Sequence, residues 1–136
     1  MSRHPDDEGS VLLLTLGYAI LAIAIVLVCV DATSLYLAQK RADAAADAAA
    51  LAGADGFTLV IDGGAPVAQL TDERVAAQAA ELLDALGTAR LVSASTPDGV
   101  SARVSVEVDW HPPVLTVFVP DGWTLGATAT SRTALR

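Results

Sequence analysis

A long uncharged stretch near the start of the chain, Val11 to Val30, limits the possible folds more than any other feature. It contains no charged residue and no proline. A helix needs about 20 such residues to cross the hydrocarbon core of a bilayer. We therefore predict that residues 11–30 form a transmembrane helix.

The same helix is predicted to continue beyond the membrane. Neither Gly nor Pro, the residues that most disfavour a helix interior, occurs between Tyr18 and Leu51. At about 1.5 Å per residue, some 45 residues make a rod of roughly 65 Å, about twice the thickness of the bilayer core. Residues 31–55 are thus predicted to be an alanine-rich helical extension that stands in water.

Charge and cysteine content exclude several classes of protein. Residues 31–136 contain thirteen Asp and Glu against seven Lys and Arg, without a basic patch. Nucleic acid is therefore excluded as an expected partner. The single cysteine, Cys29, lies inside the apolar stretch, so no intrachain disulfide stabilises the remainder.

Residues 56–136 are predicted to form one small α+β domain. Phe57 to Ile61 is rich in β-branched residues and predicts a short strand. Thr71 then offers a cap for a helix whose apolar residues recur at helical spacing until Gly87. The apolar side of this helix requires a sheet to cover it.

The sheet is predicted from the second half of the domain. Polar and apolar residues alternate from Arg103 to Trp110, as in a half-buried strand, and Ala89–Ser95 and Thr124–Thr133 are further candidates. The run Val114 to Val119 is apolar on both sides, so it is either a buried strand or a surface that meets membrane or protein. We favour the strand, giving one helix on a sheet of three to four mostly antiparallel strands.

No residue pattern indicates catalysis. His4 lies near the N-terminus and His111 lies beside two prolines, and neither has a Cys, His or acidic residue at metal-ligand spacing. Asp43 and Asp47 share a helix face, but an alanine-rich helix offers no cleft in which such a pair could act as catalytic carboxylates. We predict that the chain is not an enzyme and has no catalytic residue, metal or cofactor.

The alanine-rich extension is instead predicted to be a packing surface for neighbouring helices in a homo- or hetero-oligomer. Its small side chains allow another helix to approach closely. The alternative is a solvated connector that is helical only because alanine favours helices. The candidate packing residues are Asp31, Tyr36, Ala45, Asp47, Ala48 and Ala49.

The N-terminus leaves two questions open. Residues 1–10 form a polar leader in which residues 1–8 are expected to be disordered. The basic residues on the two sides of the apolar stretch, Arg3 before it and Lys40 and Arg41 after it, do not decide the orientation of the helix in the membrane. A cleaved secretory signal is the rival interpretation of the apolar stretch, with Val30 and Ala32 as small residues before the cut. Cleavage there would release a secreted small binding or adhesin domain.

Several residues in the first half of the chain resemble a known family. They are Gly9-Ser10, the apolar stretch, Val30-Asp31, Leu35-Tyr36 and the block ADAAALAGA from Ala46 to Ala54. This pattern, over about residues 9–54, resembles the N-terminal module of the TadE/TadG-like proteins of Flp (tight-adherence) pilus systems.

The resemblance implies a membrane-anchored, pseudopilin-like component that helps to assemble or anchor a type IV-like pilus. It implies pilin-like or pilus-assembly membrane proteins as partners, the bacterial plasma (inner) membrane as location, and an extracytoplasmic C-terminal domain. It also implies a possible prepilin-type cleavage between Gly9 and Ser10. The position where such substrates carry a glutamate is Leu14 here, which favours permanent anchoring.

Overall fold

The computed structural model describes residues 5–133 and shows one long helix with a small α+β domain packed along its second half. Helix α1 runs from Pro5 to Asp55, 51 residues in all, which corresponds to about 75 Å. Its first residues are helical, so the prediction of a disordered leader is wrong for residues 5–8. Proline is well tolerated in the first helical turn because its missing N–H has no intrahelical partner there. Residues 1–4 of the leader, with His4, lie outside the described residues.

The apolar half of α1 makes no packing contact that buries it. Within residues 5–133, one helix is long and apolar enough to cross a membrane, and none of its most apolar 18-residue window is buried inside the chain. Large side chains such as Leu13, Leu21 and Val28 are exposed along it. This segment lies outside the folded domain and is consistent with the predicted membrane anchor.

The remaining elements follow α1 in the order of a hairpin, a helix and a three-stranded sheet. Within the described residues, β1 and β2 form a separate antiparallel hairpin, and the larger sheet has the antiparallel order β3-β4-β5. This arrangement confirms the predicted α+β class. The elements are β1 Thr58–Asp62, β2 Ala65–Gln69, α2 Asp72–Leu86, β3 Arg90–Ser95, β4 Ser101–Trp110 and β5 Trp123–Arg132.

The core of the domain includes one face of the alanine-rich half of α1. The buried residues of that face pack with α2 and with β4. Small side chains let these elements approach α1 closely. A Cβ atom at Gly53 would lie 2.9 Å from Val75 Cγ1 and 3.3 Å from Ala102 Cβ, so glycine is needed there. The buried alanines of α1 are Ala38, Ala42, Ala45, Ala46, Ala49, Ala50 and Ala54.

Strand β4 runs antiparallel to α1. Gly53 lies beside Ala102 at one end, and the Ser34 hydroxyl accepts a hydrogen bond from Trp110 Nε1 at 3.1 Å at the other. The helix advances about 29 Å between its two contact residues and the strand about 26 Å, because they rise about 1.5 and 3.3 Å per residue. The β4–β5 connection therefore lies at the end of the domain nearest the apolar half of α1.

The predicted strand from Val114 to Val119 is wrong. These residues belong to a loop, 111–122, that leaves the sheet after Trp110 and returns to pair Trp123 with that same residue. Pro112 and Pro113 have no backbone N–H to donate to a sheet, which favours departure from the strand. Val117 and Phe118 of this loop are consequently exposed and are not core residues. That this surface meets membrane or protein stays a prediction.

Candidate functional site

The structure places the predicted packing residues on two opposite sides of α1. Ala45 and Ala49 are buried in the core of the domain, Ala49 with 0% exposure. The prediction that these two alanines contact neighbouring helices is therefore wrong. Their face is already occupied by α2 and the sheet of the same chain.

The other side of the alanine-rich half remains exposed. Tyr36 is 61% exposed, Asp47 is also exposed, and Ala48 is half-buried at the edge. Exposed residues recur there every three or four positions, so they form one continuous stripe. We call it the outer stripe, and it consists of Thr33, Tyr36, Leu37, Lys40, Arg41, Ala44, Asp47 and Leu51.

The outer stripe combines apolar side chains with weakly paired charges. Leu37 and Leu51 are at least half exposed. The Lys40 ammonium lies 3.4 Å from Asp43 Oδ2 and 5.7 Å from the centre of the Tyr36 ring. Such exposed contacts contribute only tenths of a kcal/mol, about 0.2–1 kcal/mol for an ion pair. They leave the stripe free to exchange these contacts for those of a partner.

A shallow groove joins the outer stripe to the apolar half of α1. Its volume is about 530 Å³. It begins among the last residues of the apolar stretch and ends beyond the first turns of the outer stripe. Its lining residues are Ile25, Val26, Cys29, Val30, Thr33, Ser34, Leu37 and Arg41. One side of α1 is therefore open without interruption across the predicted membrane boundary.

Asp31 has a role within the chain that the sequence did not reveal. It is only 6% exposed, and its Oδ1 atom accepts a hydrogen bond from the backbone N–H of Val114 at 3.1 Å. Its Oδ2 atom is buried without a hydrogen-bond partner among the described residues. Asp31 thus holds the β4–β5 loop against α1 and does not present its carboxylate on the outer stripe.

Two further polar contacts attach the domain to α1, and neither was predicted from the sequence. Trp110 Nε1 donates to Ser34, as described above, and Gln39 Nε2 donates to the Gly126 carbonyl at 3.2 Å and to Asp43 Oδ1 at 3.1 Å. A polar residue on an otherwise apolar or alanine-rich helix was the available signal for Ser34 and Gln39. Their partners could not be identified because they lie far away in the sequence.

Exposed apolar residues also occur outside α1, on the β1–β2 hairpin at the end of the domain farthest from the apolar half of α1. Leu59, Val60 and Val67 on the β1–β2 hairpin are exposed, and Ile61 is 79% exposed. The turn at Gly63-Gly64 has φ angles of 59° and 87°, which glycine adopts without strain. Among residues 5–133, nothing covers this hairpin surface.

The prediction that the chain has no catalytic residue, metal or cofactor is not tested and stays a prediction. No group of three or more His, Cys, Asp or Glu side chains that could hold a metal occurs within residues 5–133. His111 is exposed at the start of the β4–β5 loop. Gly9 and Ser10 are exposed in the first turns of α1, and cleavage between them also stays a prediction.

Comparison with known families relates the first part of the chain to pilus assembly. Residues 9–56 match the family described as "Putative Flp pilus-assembly TadE/G-like" (Tad). The resemblance predicted from the sequence is thereby confirmed, and it covers the apolar and alanine-rich halves of α1. Neither curated proteins nor solved structures gave a significant match to the chain.

Proposed function

We propose that this chain is a single-pass, pseudopilin-like membrane component that helps to assemble or anchor a Flp (tight-adherence) pilus through packing of its long helix. The observation that carries the proposal is the uninterrupted open side of α1, from the bare apolar half through the groove to the outer stripe. The family match over residues 9–56 covers this same helix.

The geometry of the open side suits a neighbouring helix. Thr33 and Ala44 are small. Leu37 lies between them, four residues after Thr33 and seven before Ala44, and Leu51 lies seven residues beyond Ala44, so all four share one side of the helix. Ridges of side chains on a second helix can enter such gaps. In the apolar half the same contact would be made in lipid, where close van der Waals packing drives helix association.

The domain has a supporting part in this mechanism. By burying the opposite face of α1, it covers Ala42, Ala46 and Ala50 and leaves the outer stripe as the available side. The domain also forms hydrogen bonds with Asp31, Ser34 and Gln39 of α1, through β4, β5 and the loop between them. A long helix braced on one side is a stiffer building block than a free alanine-rich rod.

The proposed location is the bacterial plasma membrane, with the domain on the extracytoplasmic side and pilin-like or pilus-assembly membrane proteins as neighbours. Family resemblance supports the location and the orientation, and the exposed apolar half of α1 supports membrane anchoring. The proposed action is non-catalytic, and no cofactor or nucleic acid is involved.

Photo-crosslinking in cells that make the pilus tests the proposal. A photoreactive residue at Leu37 or Leu51 is expected to give crosslinks to membrane proteins, whereas the same residue at Val92, exposed on β3, is the matched control. Crosslinks of equal yield from Val92, or none from either outer-stripe position, would contradict helix packing as the mode of action.

The second candidate is a small adhesin-type domain released by signal peptidase. The structure provides one observation against it: cleavage near Ala32 would fall within continuous helix and would remove Asp31 from its contact with Val114. Mass spectrometry of the mature N-terminus distinguishes the alternatives. The anchored form begins at the initiating residue or at Ser10, whereas the released form begins near Thr33.

A further inference from the structure

The loop between β4 and β5 presents an exposed apolar tip. We call residues 111–122 the junction loop. Val117 and Phe118 at its tip are 86% and 80% exposed, and the loop carries no charged residue from Pro112 to Pro120. Nothing in the described part of the domain covers these two side chains. Such a contiguous apolar tip on a small domain needs an occupant.

The position of the junction loop indicates what this occupant is. The backbone N–H of Val114 binds Asp31 Oδ1, and Asp31 directly follows Val30, the last residue of the apolar stretch. At the start of the loop, Trp110 binds Ser34 one helical turn farther along. The loop therefore leaves the domain at the level where α1 leaves its apolar segment, which is the level of the bilayer surface if that segment spans the membrane.

The junction loop is also built as a compact unit. The N–H groups of Phe118 and Val119 both donate to the Leu115 carbonyl, at 3.0 and 3.1 Å, and Gly122 N–H donates to the Val119 carbonyl at 3.3 Å. Pro112 at its base is fully buried. Backbone N–H and C=O groups that already form hydrogen bonds within the loop keep these bonds when the loop enters a less polar medium. The cost of removing them from water is therefore smaller.

We propose that the junction loop inserts Val117 and Phe118 into the interfacial layer of the bilayer that α1 crosses. The inference rests on the proposed membrane anchoring of α1. The domain is then attached to the membrane at two points, the helix and the loop, and this fixes its tilt and hence the direction in which the outer stripe faces. Trp123, exposed at the end of the loop, suits the same layer because aromatic residues concentrate at membrane interfaces.

The attraction is apolar and not electrostatic. The part of the chain beyond the apolar stretch has thirteen acidic against seven basic residues, so anionic lipid headgroups do not attract it. The side chains that enter the interface are uncharged. Insertion is consequently expected in vesicles of neutral phosphatidylcholine and to be unchanged at high salt.

Site-directed spin labelling of the full chain in phosphatidylcholine vesicles tests the inference. Cys29 is replaced by Ala, and a single nitroxide is attached to Phe118→Cys, to Ile61→Cys or to Leu21→Cys. Ile61 is the matched control because it is equally exposed but lies at the far end of the domain. Leu21 reports on the apolar half of α1. Collision with lipid-soluble oxygen is compared with collision with a water-soluble nickel complex.

We expect the oxygen-to-nickel collision ratio at position 118 to be several-fold higher than at position 61, and to be insensitive to salt and to protein-to-lipid ratio. A low ratio at 118 with a high ratio at 21 would overturn the loop inference and leave membrane anchoring intact. Protection of 118 from both reagents would identify a protein occupant and would equally overturn it. A low ratio at 21 would overturn anchoring and the loop inference together.

Discussion

The Asp31 carboxylate accepts a 3.1 Å hydrogen bond from the backbone N–H of Val114, 83 residues later in the chain. This contact joins the first residue after the apolar stretch to the loop that begins at the near end of the sheet. It explains how an acidic residue at the edge of a predicted membrane span is buried: it satisfies a backbone donor of a proline-containing loop. It also sets the height of the domain along the helix.

Replacing Asp31 with Ala should lower the free energy of unfolding by about 1–3 kcal/mol, because the part-buried hydrogen bond from the Val114 N–H to a carboxylate is lost. Asp31→Asn keeps a carbonyl oxygen at the position of Oδ1 and should lose less. Denaturant unfolding of the full chain in detergent micelles, followed by the fluorescence of Trp110 and Trp123, measures the difference. Equal stability of Asp31→Ala and the unchanged chain would show that the contact is not stabilising.

Substitutions at Ala49 and Ala44 separate the two sides of α1. Ala49→Phe should destabilise the domain, because overpacking a filled core costs about 1–3 kcal/mol or more, and Ala49 has no exposed surface. Ala44→Phe on the outer stripe should leave thermal unfolding unchanged and reduce crosslinking from Leu37 in cells. A folded Ala49→Phe protein of normal stability, or unaltered crosslinking in Ala44→Phe, would contradict this division of the helix.

The contact of α2 with the core predicts a contrast between two leucines. Leu83 is buried, and Leu83→Ala should reduce the free energy of unfolding by about 2–5 kcal/mol through lost burial and a residual cavity. Leu86, one turn later, is nearly half exposed and is the matched control. Leu86→Ala should cost clearly less in the same denaturant titration. The assignment of the buried face of α2 would be wrong if the order were reversed.

The β3–β4 turn predicts a loss of stability in acid. The Asp98 carboxylate accepts hydrogen bonds from Ser101 Oγ at 2.8 Å and from the backbone N–H groups of Val100 and Ser101. The hydroxyl of Ser101 is the main cause that lowers the pKa of Asp98 below its ordinary 3.8, and the Val100 N–H is the next. A depressed folded-state pKa contributes stability above the unfolded-state pKa and loses it as pH falls through the folded value.

The melting temperature should therefore fall below about pH 4, and Ser101→Ala should reduce the part of this fall that comes from Asp98. Asp98→Asn should remove that part and lower the melting temperature near neutral pH. The measurement is thermal unfolding of the three proteins at several pH values. Parallel pH profiles for all three would show that the turn does not contribute to acid sensitivity.

Sequence patterns were sufficient where structure is local. The uncharged stretch and the absence of helix breakers predicted a helix that continues through residues 31–55, and α1 ends at Asp55, next to Gly56. Alternation between Arg103 and Trp110 predicted β4 because one face of that strand is buried and the other is not. Hydrophobic periodicity records such one-sided burial directly.

Two short segments were misjudged for identifiable reasons. β2 was missed because Pro66 interrupts a weak strand pattern, although an edge strand tolerates proline and Pro66 pairs with Ile61 in the hairpin. The run from Val114 to Val119 was given to the core because it is apolar. In the structure it lies at the end of the domain beside the apolar half of α1. At that level an exposed apolar surface can contact the proposed bilayer and need not be buried in the protein core.

The sequence by itself determined that the chain has a long helix with an apolar half and an alanine-rich half, followed by a small α+β domain. Only the tertiary structure decided which side of the alanine-rich half is available to partners. Alanine occurs on nearly every side of that segment, so no periodic contrast marks the buried face. The choice between Ala49 inside and Ala44 outside depends on where β4 and α2 dock, and that is fixed by the distant contacts of Asp31, Ser34, Gln39 and Gly53.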